Sequence, residues 1–161
     1  MTNIPFKHND SDVCHDNTLT LHDCVADKVS LSNNTLRFTL PDGLWVTPLH
    51  EENTSDKTIK TDAAVVDFFV ETLNDIKVCV FTRTFFGKIH VETWDIHTLV
   101  NAIKNGECTL EFITQYRTHF EQMWQCVLRG KKKPYYRECQ LHLPGAEATF
   151  RWNDMQPNRE W

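Results

Sequence analysis

Residues 19–46 read LTLHDCVADKVSLSNNTLRFTLPDGLWV, and apolar side chains alternate with polar ones along most of this stretch. A period of two places every second side chain on the same face of a β-strand. Over residues 19–31 the odd positions are mainly apolar, whereas the even positions are mainly polar. The first half of the stretch therefore predicts a strand with one buried face.

Two turn sequences divide the second half of this stretch. Residues 32–34 are Ser-Asn-Asn, which favour turns because their side chains bond to the nearby backbone and Asn tolerates a left-handed conformation. Residues 35–40 then alternate again as a returning strand. Residues 41–43, Pro-Asp-Gly, supply the next turn, and residues 44–46 begin a third strand. Together these features predict an antiparallel meander.

Most of the remaining chain continues in the same way, with short apolar runs between turn residues. We predict further strands at residues 63–73, 77–86, 89–93, 108–112, 124–128, 135–143 and 146–152. From Ile113 to residue 128, apolar side chains also recur at every third or fourth position, which is the spacing of a helix. The lack of a capping residue before Ile113 and the β-rich flanks favour strands there, with a helix as the alternative.

One segment carries the signals of a helix at both ends. Asp95 is a suitable N-cap, and the apolar residues after it are three or four positions apart. Asn105 and Gly106 are residue types that end helices. With about eight strands and one short helix at about residues 95–105, the sequence predicts an α+β fold that is mainly antiparallel β. We expect a curved sheet or an open, barrel-like meander with the helix on one side.

Three segments lack any hydrophobic period. We predict a loose lead-in over residues 1–17, a long surface loop over residues 48–62, and a polar tail over residues 154–161. Residues 18–153 would then form a single β-rich domain.

Length and composition indicate an ordinary globular protein. The chain has 161 residues, of which 40% are hydrophobic and 24% charged, so it can build a core without disulfides or metals. No stretch is long and apolar enough to span a membrane, and the N-terminus lacks the apolar segment of a secretory signal. We therefore expect a cytoplasmic protein with no membrane partner.

The charge of the chain argues against nucleic acid as a partner. The formal net charge is −5 and the pI is about 5.9, whereas binding to phosphates depends on lysine and arginine. The basic run at residues 129–133 is short, and Gly130 and Pro134 bracket it as turn residues do. We predict that this run is a solvated hairpin tip.

The cysteines predict neither a disulfide framework nor a metal site. Six are present and none is spaced as C-x-x-C, so free thiols are the simplest interpretation. Cys14, His15, His22 and Cys24 are residue types that zinc prefers, but their spacing is not one of the usual zinc patterns. We predict no bound metal and no cofactor.

His22 and Asp23 are the one pair in the sequence that suggests catalysis. Because neighbours on a strand point to opposite faces, we expect the two side chains not to bond to each other. A structural role at a sheet edge is the favoured interpretation. No serine is flanked by glycines as in a nucleophile elbow, and no glycine-rich phosphate loop occurs. The sequence therefore predicts no catalytic residues.

The order of these features resembles a known kind of protein. Leu21-His22-Asp23-Cys24, the strand at residues 36–40 and Pro41-Asp42-Gly43-Leu44-Trp45 are similar to the N-terminal hairpins of small bacterial proteins of unknown function. Some of those proteins look like immunity proteins of polymorphic toxin systems. The ending from residue 133 to residue 153 fits the same pattern. The resemblance implies a non-enzymatic β-rich protein that occludes a toxin's active site, and it assigns no catalytic residues.

We therefore predict an immunity-type module that binds another protein. An acidic inhibitor is steered electrostatically towards a basic partner such as a nuclease toxin. The predicted contacts are acidic or aromatic side chains near turns and in the long loop, namely Asp42, Trp45, Glu51, Glu52 and Asp56.

Two other functions remain open. A small-molecule-binding or hydrolytic domain would use His22 and Asp23 with another imidazole, such as His90 or His142. It would need a pocket in which at least two of these side chains converge. A structural homo-oligomer would instead be joined through an uncovered strand edge.

Overall fold

The computed structural model describes residues 6–12, 17–118 and 120–161. Within these ranges the chain forms fifteen strands, one α-helix and a short 3₁₀ helix at Leu73–Asp75. The strands are β1 (His8–Asp12), β2 (Leu19–Thr20), β3 (Cys24–Ala26), β4 (Lys28–Ser32), β5 (Thr35–Leu40), β6 (Trp45–Val46), β7 (Ile59–Thr61), β8 (Ala64–Phe69), β9 (Lys77–Arg83), β10 (Ile89–Trp94), β11 (Cys108–Arg117), β12 (Glu121–Gly130), β13 (Tyr136–Pro144), β14 (Glu147–Trp152) and β15 (Met155–Glu160). The helix, α1, spans Ile96–Lys104.

The strands form three antiparallel sheets. The five-stranded sheet has the order β1-β14-β8-β5-β4, the six-stranded sheet β10-β9-β13-β12-β11-β3, and the four-stranded sheet β15-β7-β6-β2. None of them closes into a barrel over the described residues. The α+β class with mainly antiparallel strands is confirmed, but a single barrel-like sheet of about eight strands is wrong. Several of the additional strands are two or three residues long, which is too short for a period of two to be recognised.

Residues 19–31 do not form the single strand that their alternation predicts. They divide into β2, β3 and β4, and each of these belongs to a different sheet. The break lies at Asp23, whose φ of 56° is left-handed and whose N–H donates to the carbonyl of Phe112 at 2.8 Å. Directly after this turn the even positions Cys24 and Ala26 are buried. A turn inside an alternating run reverses the buried face, and the period alone does not reveal it.

The predicted hairpin around residues 32–34 is confirmed, but the meander does not continue beyond it. Asn33 and Asn34 have positive φ in the turn between β4 and β5. The next strand, β6, pairs with β2 and β7 rather than with β5. The chain leaves the five-stranded sheet at Gly43, where a Cβ would lie 2.3 Å from the carbonyl oxygens of Thr61 and Asp62. Only glycine therefore fits at this point.

The predicted helix is confirmed at both ends. Asp95 accepts a hydrogen bond from the N–H of Thr98 at 2.7 Å, and Asn105 and Gly106 follow the last turn. The apolar face of α1 packs against β4 of the five-stranded sheet and against β9, β10 and β11 of the six-stranded sheet. The helix therefore bridges the two larger sheets. No helix in the described ranges is long and apolar enough to span a membrane.

Residues 108–128 form strands β11 and β12, as favoured, and not a helix. The helix-like spacing does not mark a buried face, because Tyr116 and Phe120, which belong to it, are exposed. The register between the two strands does shift between Phe112 and Thr114. Ile113 consequently has no partner residue in β12. A β-bulge of this kind displaces the following side chains by one position and disturbs the period of two.

Both terminal segments and the predicted surface loop contain more structure than their sequences predict. Residues 8–12 pair as β1 with β14, and residues 155–160 pair as β15 with β7. Within residues 48–62 lie β7 and the buried side chain of Asn53, whose amide donates to two backbone carbonyls. β1 and β15 lie at the edges of their sheets and carry few apolar residues, so no hydrophobic period marks them.

The core lies between the five-stranded and six-stranded sheets. Phe38 and Phe68 of the first sheet meet Phe112 of the second at ring-centroid distances of 5.3 and 6.5 Å. Trp124 packs edge-on against Phe112 at 5.3 Å. Such edge-to-face contacts add to the hydrophobic burial of the rings. The buried thiols that join this core are those of Cys24, Cys108, Cys126 and Cys139.

A charge cluster lies on the other face of the five-stranded sheet. The carboxylate of Asp67 on β8 accepts hydrogen bonds from Arg37 on β5 at 2.6 and 2.7 Å and from Arg151 on β14. Burial opposes ionisation of the Asp67 carboxyl, but the hydrogen bonds from the two arginines outweigh it and lower its pKa. The cluster therefore joins three neighbouring strands through their side chains.

Candidate functional site

Three aromatic and imidazole rings form a cluster at the β3 edge of the six-stranded sheet. The ring of His22 is stacked on Trp161 with centroids 5.2 Å apart, and Trp45 is tilted against the same indole at 5.8 Å. The indole N–H of Trp45 also donates to the carbonyl of His22 at 2.9 Å. We call His22, Trp45 and Trp161 the indole cluster. Trp161 remains 67% exposed, so one face of a well-supported ring is open to solvent.

The turn at residues 22–23 orients the imidazole of His22. Its Nδ1 contacts the carbonyl of Ile113, and because a carbonyl only accepts, Nδ1 is the nitrogen that carries the proton. Nε2 lies 3.5 Å from a carboxylate oxygen of Asp23. The expectation that the two side chains point to opposite faces was wrong, because Asp23 is in a left-handed turn and not in a strand.

This arrangement differs from a catalytic His–Asp pair. In such a pair the imidazole donates its N–H to the carboxylate and leaves its other nitrogen free to take a proton from the nucleophile. Here the N–H of His22 is directed at the carbonyl of Ile113, and 3.5 Å is too long for a strong hydrogen bond to Asp23. The geometry fits a structural role for His22 in holding the indole of Trp161.

Trp45, one of the predicted contact residues, is half-buried. The Nζ of Lys60 lies 4.7 Å from the centroid of its ring, and Lys60 itself is buried. Asp42 stays exposed, with its carboxylate 3.8 Å from Arg159. The structure therefore brings one predicted contact residue, Trp45, together with the His22–Asp23 pair, whereas Asp42 contacts Arg159.

The other three predicted contact residues lie on the loop that follows β6. Glu51, Glu52 and Asp56 are all exposed, as predicted. Glu52 has one weak neighbour, the imidazole of His8 at 3.9 Å. These three carboxylates give the loop an acidic surface.

Sequence reasoning missed a buried imidazole on the same loop. His50 is buried against the ring of Trp152, its Nδ1 accepts the N–H of Glu52 at 3.1 Å, and its Nε2 donates to the carboxylate of Asp10. Asp10 and His50 line a cavity of about 600 Å³, with Glu51 beside them. No motif signals this pair, because the two residues are far apart in the sequence and Asp10 lies in a strand without a hydrophobic period.

This cavity is not the pocket that the small-molecule hypothesis requires. Neither His22 nor Asp23 lines it, and neither do His90 and His142. His142 instead bonds to Glu121 at 2.8 Å, and His90 lies exposed on β10. His22 and Asp23 lie side by side, but in the described part of the chain neither His90 nor His142 joins them.

A second surface lies at the opposite edge of the same sheet. The turn between β9 and β10 exposes Phe85 to 99% and Phe86 to 88%. Ile89, Tyr135 and Tyr136 are exposed at the same end of the sheet. We call these five residues the tip patch. The strand predicted over residues 77–86 includes Phe85 and Phe86, whereas β9 ends at Arg83 and both phenylalanines lie in the turn.

No protein-family model matches the chain, and neither a curated protein nor a solved structure is similar to it. The resemblance to immunity proteins consequently stays a prediction.

No metal centre is found among the residues that the structure describes. In these ranges no group of three or more His, Cys, Asp or Glu side chains is arranged to hold an ion. Cys14 and His15 lie outside the described residues. Burial raises the pKa of the Cys24 thiol to about 12, so this sulfur is a poor ligand and nucleophile at neutral pH.

Proposed function

We propose that the protein is a non-enzymatic module of immunity type that binds another protein through the indole cluster and the acidic loop beside it. The observation that carries this proposal is the solvent-facing indole of Trp161, which His22 and Trp45 hold in place. Tryptophan is the residue type most enriched among interface residues that dominate binding energy. A ring that is already ordered loses little conformational entropy on binding.

The charges around this surface support a basic partner. Asp23 is exposed beside the indole cluster, and Glu51, Glu52 and Asp56 form an acidic surface along the loop. The exposed cations of this region are themselves paired, Arg159 with Asp42 and Lys57 with Glu160. The ammonium of Lys60 is buried under Trp45 and contributes little positive charge to the exterior. Such a surface steers a basic protein towards the cluster and raises its association rate.

Capture of a partner followed by titration of variants tests the role of Trp161. The immobilised protein should retain a basic protein from a lysate of the source cells, and that protein is then titrated against Trp161→Ala. Loss of a central indole should raise Kd by roughly 30-fold or more. Phe86→Ala removes another exposed aromatic ring, at the opposite edge of the sheet, and serves as the matched control.

The proposal fails if Trp161→Ala and Phe86→Ala bind the captured protein equally well. It also fails if the partner is acidic, because the charge argument then has the wrong sign. A combined Glu51→Gln, Glu52→Gln and Asp56→Asn variant should mainly lower the association rate at low salt, with little effect on dissociation. An unchanged association rate would exclude the loop from steering.

A further inference from the structure

The tip patch is formed by two hairpin turns that lie side by side. β9 and β13 are antiparallel neighbours, with Phe81 opposite Glu138. β9 therefore runs into its turn at residues 84–88 at the same end of the sheet where β13 leaves its own turn at residues 131–135. Hydrogen bonds close both turns, from Thr84 to Lys88 at 2.8 Å and from Gly130 to Tyr135 at 2.8 Å. The two turns thus present a defined surface.

The apolar side chains of this surface project beyond the sheet. Phe85 and Phe86 pack only edge-on against each other, with centroids 5.7 Å apart, and Phe85 is 99% exposed. Nothing lies within 4 Å of the position that a Cβ on Gly87 would occupy. Adjacent, protruding phenyl rings in water are unfavourable, and exposed apolar patches of this kind mark interaction sites.

Cations surround these rings. Arg83 and Lys88 flank the first turn, and residues 131–133 of the second turn are three exposed lysines. The nearest carboxylates along the chain are Glu92 on β10, Glu107 just before β11 and Glu138 on β13, fewer than these five cations. The end of the sheet is therefore positively charged, although the whole chain carries a net charge of −5. This surface matches an anionic partner.

We propose that the tip patch docks the protein on an anionic lipid bilayer, with Phe85 and Phe86 inserted at the interface and the lysines bound to headgroups. Aromatic rings favour the interfacial zone of a bilayer, and each lysine near an anionic surface adds to the attraction. Peripheral docking of this kind requires no spanning helix. The proposal differs from the sequence-based expectation of no membrane partner, which rested on the lack of a spanning segment.

The shape of the surface distinguishes a bilayer from other anionic partners. Single-stranded nucleic acid needs a groove or a flat platform on which successive bases stack. Phe85 and Phe86 instead stand at the end of a turn and face each other edge-on. A fluid bilayer accommodates protruding rings without a complementary pocket.

Sedimentation with vesicles tests this proposal. The wild-type protein should bind vesicles of mixed phosphatidylserine and phosphatidylcholine and should bind phosphatidylcholine alone much more weakly. Phe85→Ser combined with Phe86→Ser should lower the partition coefficient at least about tenfold. Lys132→Gln combined with Lys133→Gln should lower it by about fivefold per lysine, and only when phosphatidylserine is present. Trp161→Ala should bind as the wild type does.

Three outcomes would overturn the proposal. The first is no binding to either vesicle, and the second is binding that survives the Phe85→Ser/Phe86→Ser change. The third is that the protein does not bind vesicles but binds a single-stranded oligonucleotide, or self-associates as seen by light scattering, and that the same variants abolish this binding or self-association. All the substituted side chains are exposed, so we expect the variants to fold as the wild type does. An unchanged circular dichroism spectrum and melting temperature will check this.

Discussion

The two edges of the six-stranded sheet use aromatic side chains in opposite ways. At the β3 edge, His22, Trp45 and Trp161 contact one another, and the indole N–H of Trp45 is hydrogen-bonded. At the β10 edge, roughly 24 Å away across the strands, Phe85 and Phe86 contact little besides each other. The exposed fraction of a surface aromatic ring therefore does not show whether the ring is held in place. Its contacts show this: the rings at the β3 edge are held by neighbouring groups, and those at the β10 edge are not.

Two glycines with nearly equal φ give the largest test of this contrast. Gly43, with φ of 78°, brings the chain to the indole cluster, and a Cβ there would clash with the backbone of Thr61 and Asp62. Gly87, with φ of 77°, forms the tip and has open space around it. Gly43→Ala should lower the free energy of unfolding by at least about 3 kcal/mol, whereas Gly87→Ala should cost only about 1 kcal/mol.

Urea denaturation of the two alanine variants measures this difference. Equal losses of stability would show that the left-handed backbone alone determines the cost, and that the close packing around Gly43 does not contribute.

The charge cluster of the five-stranded sheet lies at neither edge of the six-stranded sheet, so a variant there is a reference for the stability measurements. Asp67→Asn should lower the free energy of unfolding by about 2 kcal/mol at pH 7, because it leaves Arg37 and Arg151 without their shared carboxylate. The pKa of Asp67 is lowered in the folded state, so its contribution is present above the unfolded pKa of about 3.9 and is lost as the pH falls below it.

Denaturation series at neutral and acidic pH check this sign. The difference in stability between wild type and Asp67→Asn should shrink as the pH falls below about 4. A difference that grows on acidification would contradict the assignment.

Conservative changes to the aromatic side chains compare the two edges directly. Trp45→Phe removes the hydrogen bond to the carbonyl of His22 and part of the contact with Trp161 and should cost about 1 kcal/mol. Phe85→Ser should change the stability by less than about 0.5 kcal/mol, because its ring is almost fully in water. Thermal melts of the two variants measure both values. A substantial loss for Phe85→Ser would show that the tip supports the fold.

Thiol labelling compares the two sides of the six-stranded sheet without altering its aromatic residues. Cys24 on β3 is buried, and burial raises its pKa to about 12, so little thiolate is present at pH 8. Cys79 on β9 is only half-buried. In a Cys14→Ser background, iodoacetamide should modify Cys79 at least about tenfold faster than Cys24. Peptide mapping by mass spectrometry identifies the modified sites, and faster labelling of Cys24 would show that the β3 edge opens readily.

The parts of the fold that the sequence predicts are those with purely local signals. The hairpin at Asn33-Asn34, the helix after Asp95 and the hairpin at Gly87-Lys88 each have capping or turn residues directly beside an apolar pattern. The division of residues 19–31 depends on the contact between Asp23 and Phe112. That contact joins positions distant in the sequence, so no local sequence pattern predicts it.

The candidate site was predictable only in part for the same reason. Asp42, Trp45 and the His22–Asp23 pair were selected from turn positions and residue types, and the structure places Trp45 beside that pair. The segment predicted to be a polar tail supplies Trp161, which contacts His22 and Trp45. It also supplies Arg159, which lies 3.8 Å from Asp42. The buried pair of His50 and Asp10 likewise depends on β1, which has no apolar period. Site residues on polar edge strands are therefore missed, because such strands have no apolar period by which to recognise them in the sequence.

The bulge in β11 has a consequence for the proton on an imidazole. Ile113 is the extra residue of that bulge, and its carbonyl is the group that receives the N–H of His22. Deleting this one residue would restore a regular ladder and withdraw the acceptor that fixes the tautomer. A deletion in β11 would then change the orientation of the imidazole on which Trp161 is stacked, although neither His22 nor Trp161 had been changed.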